Sequence, residues 1–182
     1  MDRSSDPAGV LALARSRPAT LGTGRLLCVD GPSGSGKTTL ATALARLSPE
    51  VKVVHLDALY DGWDGLPRLD AQLAGLLEPL AAGSAGRYHR YDWHAGRYAG
   101  EVVVPPAPVL VVEGVGSWSP EFAGLVTLLV WVEAPAEVRL DRAVRRDGAS
   151  TEALLRQWAR DEQEHFARTG ARERADVVWT GA

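Results

Sequence analysis

"CVDGPSGSGKTTLA", residues Cys28 to Ala41, decides how the rest of the chain reads. Glycine and small residues fill the stretch between Asp30 and Lys37, and two threonines follow the lysine. The run before it, "RLLCVD", is apolar and bounded by glycine, the pattern of a buried strand. The run after it, "TTLATALARL", has helical spacing and good helix formers. Between a strand and a helix, glycines let successive backbone N–H groups turn inward around an anion. Gly31, Gly36, Lys37 and Thr38 satisfy G-x-x-x-x-G-K-[ST], the phosphate-binding loop. The stretch therefore predicts a nucleoside triphosphate site. Gly31, Ser33, Gly34, Ser35, Gly36, Lys37, Thr38 and Thr39 are its expected contacts. Lys37 would reach the β- and γ-phosphates, the Thr38 hydroxyl would ligate Mg²⁺, and the helix start adds partial positive charge.

Outward from the loop, "VKVVHLD" reads as a second strand and "PRLDAQLAGLLEPLAAG" as a helix stopped by glycine. "SAGRYHRYDWHAGRYAGEVVVPPA" reads as a looser aromatic and arginine-rich segment. "PVLVVEG" and "VTLLVWVEA" are apolar without alternation, as strands covered on both faces are. "PAEVRLDRAVRRDG" and "TEALLRQWARDEQEHFARTG" read as helices, and "ADVVWTG" as a last short strand. Strands alternating with helices predict an α/β fold, a three-layer α/β/α sandwich around a parallel five-stranded sheet of the P-loop NTPase kind. Asp6 to Arg17 reads as a short amphipathic helix within a 1–24 extension and linker, and 25–182 as the main domain.

The composition narrows the function classes. At 182 residues the chain is one domain with room for a core. Its apolar fraction of 46% and charged fraction of 24% are ordinary for a soluble globular protein. A formal net charge of -3 gives no general attraction for nucleic acid or an acidic membrane. Lys37 and Lys52 are the only lysines, which sets the loop lysine apart from a solvating one. The single cysteine, Cys28, reads as core, and with no disulfide partner it suits a reducing compartment. The apolar patch "GVLALA" is too short to span a membrane, so the expected location is cytoplasmic. "RYHRYDWHAGRY" interleaves basic and aromatic residues as nucleic-acid surfaces do, but beside a P-loop in an acidic chain a small-molecule site is the expectation.

In open parallel sheets ligands bind beyond the C-terminal ends of the strands. Asp57 and Glu113 stand at two such ends, where a carboxylate either accepts a proton from an attacking hydroxyl or holds Mg²⁺. Either acid could instead cap the next turn. Arg139, Arg142 and Arg146 share one helical face, suited to charge building on a transferring phosphoryl group or to pairing with Asp141 and Asp147 in solvent. Trp131 and Trp179 read as core, whereas Trp63, Trp93 and Trp118 sit on loops where a ring could stack on a planar ligand.

"VDGPSGSGKTTLA", "HLDALY", "YDW", "VVEGV", "RLDRAVRRD" and "ADVVW" occur in the order and approximate spacing of the uridine/cytidine kinase family, over roughly Arg25 to Trp179. The chain resembles that family, and the resemblance implies an ATP- and Mg²⁺-dependent kinase acting on a hydroxyl of a pyrimidine nucleoside. It assigns Asp57 as general base with Lys37 and Arg146 as catalytic partners, and Thr38, Glu113 and Asp57 to the metal. Asp64, Tyr60, Tyr91, Trp93 and Gln157 are implied for the substrate, and Arg142 and Arg146 for a short lid around 139–151.

The departures are specific. Only "GAS" lies between Asp147 and Thr151 where the family carries a longer arginine-bearing run, Ala143 stands where it has a lid arginine, and His94 comes two residues early. A kinase of another metabolite or of a nucleoside monophosphate, or a nucleotide-dependent regulatory ATPase, are the alternatives. The sequence does not set the oligomeric state.

Overall fold

The computed structural model describes residues 6–148 and 151–180, and the side chains of Arg146 and Asp147 lie outside the described residues. In chain order come α1 (Pro7–Ser16), β1 (Arg25–Asp30), α2 (Lys37–Leu47), β2 (Val51–His55), α3 (Leu69–Ala81), β3 (Gly86–Asp92) and β4 (Arg97–Val104). Then follow β5 (Val109–Glu113), β6 (Val126–Val132), α4 (Ala136–Asp147), α5 (Glu152–Thr169), α6 (Ala171–Arg174) and β7 (Val177–Trp179). Five strands make a parallel sheet in the order β2-β5-β1-β6-β7, so β1 and the loop that follows it sit at the centre.

The lack of alternation in β1 has a direct cause. Successive side chains of a strand point to opposite faces. Leu26 and Cys28 enter one core cluster with Leu73, Leu76 and Leu77 of α3. Leu27 and Val29 enter another with Leu40 and Leu44 of α2 and Val10 and Ala14 of α1. Apolar residues are needed on both sides, and each fully buried leucine or valine is worth about 1.5–3 kcal/mol. The first helix forms where expected because Asp6 caps it, accepting from the Gly9 N–H at 2.6 Å, with Pro7 in the first turn.

Two expectations about local structure are corrected. The segment read as loose is an antiparallel hairpin, β3 on β4, and β3 lies against α3. Tyr88 and Val102 are cross-strand partners and both lean on the core, while Arg87, His89 and Glu101 face outward. Too few inward residues and a register shift between His89 and Tyr91 hide the alternation. The second correction concerns Asp57. β2 stops at His55, and Asp57 lies in a tight 3₁₀ turn, Leu56–Ala58, because fully buried Leu56 turns the chain into the core. The Leu59 and Tyr60 N–H groups both donate to the Leu56 carbonyl, at 2.8 and 3.2 Å.

No described helix is long and apolar enough to cross a membrane.

Candidate active site

The loop from Gly31 to Gly36 connects β1 to α2, whose first turn has no capping side chain. A helix start leaves backbone N–H groups that an anion can complete. A Cβ added at Gly36 would meet nothing within 4 Å, whereas one at Gly34 would lie 2.4 Å from the Arg139 carbonyl oxygen. One glycine keeps space open over the helix start, and the other lets α4 lie against the loop. The Lys37 ammonium donates to the carbonyls of Gly31 and Pro32, at 2.8 and 3.0 Å. Burial lowers its pKa, while Glu162, then Glu113, Asp30 and Asp57, hold it charged. The Ser35 hydroxyl is buried with no partner. An uncapped helix start and a buried cation together fit a bound phosphate chain.

Glu113 ends β5 and is 4% exposed. Its Oε1 accepts from the Thr38 hydroxyl at 3.0 Å and lies 2.5 Å from His55 Nδ1. Thr38 and Glu113 thus present hard oxygens side by side at the loop, the donor type that Mg²⁺ takes. His55 is pulled to a higher pKa chiefly by its hydrogen bond to Glu113, against the effect of burial. The sequence reading missed His55. It is the cross-strand partner of Glu113, a relation that exists only once β2 and β5 are paired.

These groups open onto a cavity of about 1060 Å³. Ser33, Gly34, Gly36, Lys37, Thr38, Glu113 and Arg142 line its phosphate-loop end, and Asp57, Tyr60, Tyr91 and Trp93 line the other. The expected residues Gly31, Ser35, Thr39, Asp64 and Gln157 do not line it. Gln157 is exposed, donating to Asp161 at 2.8 Å and accepting from Arg160 at 2.5 Å. Arg146 belongs to α4, and its side chain falls outside the described residues. Tyr60 is 2% exposed and its hydroxyl donates to the Val115 carbonyl at 2.8 Å, so its ring is floor rather than hydrogen-bonding edge.

The far wall is aromatic. Trp63 stands edge-on to Trp93 at 5.4 Å between centroids and to Trp158 at 6.2 Å, and Tyr91 stands edge-on to Trp93 at 5.4 Å. The Trp93 indole donates to the Asp57 backbone carbonyl at 2.7 Å, which ties this wall to the turn carrying the candidate base. Trp158 and Arg90 also line the cavity and were not singled out from the sequence. Trp118, read as a loop residue able to stack, is 5% exposed and packs in the core.

Asp30 was also missed. It is fully buried at the end of β1, and its carboxylate accepts N–H groups from Gly31 (2.7 Å), Gly116 (2.9 Å) and Trp118 (3.0 Å). It therefore locks the loops after β1 and β5 to each other. Burial is the largest influence and pushes its pKa up to about 6, against those three bonds and the nearby Lys37. The unfolded chain loses this proton near 3.8 and the folded chain near 6, so the folded state holds the extra proton between them. Wild-type stability attributable to Asp30 therefore falls as pH rises through that window. Relative to wild type, Asp30→Asn is expected to gain up to about 3 kcal/mol between pH 4 and pH 7, read by urea unfolding at both pH values. A difference that does not change with pH would contradict the raised pKa.

With this geometry in place, comparison with known proteins is informative. Residues 69–178 match the family described as phosphoribulokinase / uridine kinase. The chain belongs to that family. The match begins downstream of the phosphate loop, so loop and family match are separate observations. This family member is 27% identical over 153 residues to a uridine kinase of Borreliella burgdorferi, covering 74% of each chain. Among solved structures it resembles a "Possible Uridine Kinase" from Bacillus stearothermophilus, with a TM-score of 0.61 and 22% identity over 93% of this chain and 96% of that one. A "putative fructose transport system kinase" from Silicibacter sp. TM1040 gives a TM-score of 0.60 and 23% identity over 93% and 98%. These two likenesses carry the fold: a parallel five-stranded sheet with flanking helices, as in P-loop kinases. Family and fold together make the protein a P-loop kinase.

Proposed function

We propose that this kinase transfers the γ-phosphoryl group of ATP, with Mg²⁺, to a hydroxyl of a pyrimidine nucleoside. The observation that carries the reading is one cavity with two unlike ends: a phosphate loop with Lys37, Thr38 and Glu113 at one, and Asp57 beside an aromatic wall at the other. Lys37 binds the phosphates as a fixed cation, and the α2 N-terminus adds its N–H groups. Thr38 and Glu113 would hold Mg²⁺, which on binding would neutralise charge on the transferring group. Asp57 takes the proton of the acceptor hydroxyl. Tyr91, Trp93 and Trp63 supply flat apolar faces for a base. Catalysis rests on positioning and charge stabilisation, with no covalent intermediate on the protein.

Arg90 favours a second reading. It lines the acceptor end beside Tyr91 and His94 and would suit an acceptor carrying an anionic group, such as a nucleoside monophosphate. The test is ADP release from ATP and Mg²⁺ with uridine, cytidine, purine nucleosides, nucleoside monophosphates and simple sugars, with chelated Mg²⁺ as the blank. Uridine or cytidine is expected to raise the rate above the acceptor-free one. Acceleration by a monophosphate alone moves the substrate to the second reading, and no acceleration by any of them defeats both.

A further inference from the structure

Glu162 belongs to α5, is 3% exposed, and has no role in the reading above. One atom, Oε1, accepts two hydrogen bonds: from the Ser33 backbone N–H at 2.8 Å and from the Trp158 indole N–H at 2.7 Å. Ser33 belongs to the phosphate loop, 129 residues away in sequence. Trp158 is one helical turn before Glu162 on the same face of α5, and its ring stands edge-on to Tyr60 at 4.9 Å and to Trp63 at 6.2 Å. From Trp63 the contacts continue to Trp93 and, through its indole, to the backbone of Asp57.

A carboxylate so deeply buried is costly unless it is paired and hydrogen-bonded. An apolar residue would fill the position at less cost, but it would leave a buried indole N–H and a half-buried backbone N–H without this acceptor. The Ser33 peptide is held from its other side as well, because Arg139 donates to the Ser33 carbonyl at 3.4 Å. We infer that Glu162 is a positioning residue that ties the phosphate loop to the aromatic acceptor wall, so that nucleotide in the loop and the seating of Trp158 are set together. The inference rests on the loop being a nucleotide site and the wall an acceptor site. Lys37 supports it: Glu162 is the largest carboxylate influence keeping that buried ammonium charged. A polyanion in the loop draws on the same cation, so nucleotide binding acts on Glu162 through charge as well as through the Ser33 N–H.

The test needs no acceptor. The indole N–H resonance of Trp158, assigned by its loss in Trp158→Phe, is followed by NMR while MgADP is added, and MgADP affinity is measured by calorimetry. In wild type the resonance is expected to shift on MgADP binding. Glu162→Ala is expected to abolish that shift and to weaken MgADP about tenfold, the scale of a lost charge-assisted hydrogen bond. Glu162→Gln keeps the volume and a neutral acceptor and should weaken MgADP about threefold, whereas a merely space-filling role would leave this variant equal to wild type. The double variant Glu162→Ala with Trp158→Phe should bind within about twofold of Glu162→Ala, because both cut one link. If Glu162→Ala does not fold, Glu162→Gln takes its place in the double variant, with the same sub-additive outcome expected. A wild-type resonance indifferent to MgADP, an equal shift in the Glu162 variant, or multiplying effects would overturn the inference. A wild-type protein that binds no MgADP at all would instead overturn the nucleotide reading beneath it.

Discussion

Asp57→Asn is expected to lower kcat by roughly 10²–10⁴-fold, the usual contribution of a general base. The asparagine keeps the size of the side chain and loses the ability to take a proton. Asp57 occupies the turn directly after β2, lines the cavity that Lys37 also lines, and has its backbone carbonyl pinned by the Trp93 indole. Substitution should therefore leave the turn in place. MgADP affinity should remain within about twofold of wild type, since the loop contacts are untouched. Steady-state kinetics with the accepted acceptor and calorimetry with MgADP check the two halves. A kcat within threefold of wild type would remove Asp57 from the chemistry, and a selective loss of MgADP binding would move it to the metal.

Lys37→Ala is expected to cost roughly 10²–10³-fold in kcat/KM, the scale of removing one fixed donor from a charge-stabilising site. Its second effect concerns stability. The ammonium feels the charges of Glu162, Glu113, Asp30 and Asp57, and without it the buried acids among them lose an offsetting charge. The variant should be less stable than wild type at neutral pH, and the deficit should shrink as pH falls. Asp30 and Glu162 both have raised pKa values from burial, so they take up protons above the ordinary carboxylate range. Thermal unfolding at pH 5 and pH 8 measures this. Retention of more than about a tenth of wild-type activity would be incompatible with Lys37 contacting the reacting phosphates.

The phosphate-loop motif was legible because its signal is local. Six loop residues between a strand and a helix carry the geometry in their own order, and Gly34, where a Cβ would meet the Arg139 carbonyl, shows why a side chain is excluded there. The acceptor half was legible only in part. Tyr91 and Trp93 line the cavity as expected, but through a hairpin that the sequence reading took for a loose segment. Asp64 and Gln157, carried over from the family resemblance, do not line it.

What the sequence determined by itself is the strand-loop-helix motif, the three-layer order of strands and helices, and the family. Each of these follows from residue type and spacing along a few consecutive residues, or from the order of such stretches. The tertiary structure decided the rest. His55 meets Glu113 across 58 residues, and Glu162 meets Ser33 across 129, because strand register and the docking of α5 bring them together. Hydrogen bonds reach only about 3 Å. Whether two side chains form one depends on register and helix placement to within a fraction of that distance, and no local pattern encodes them.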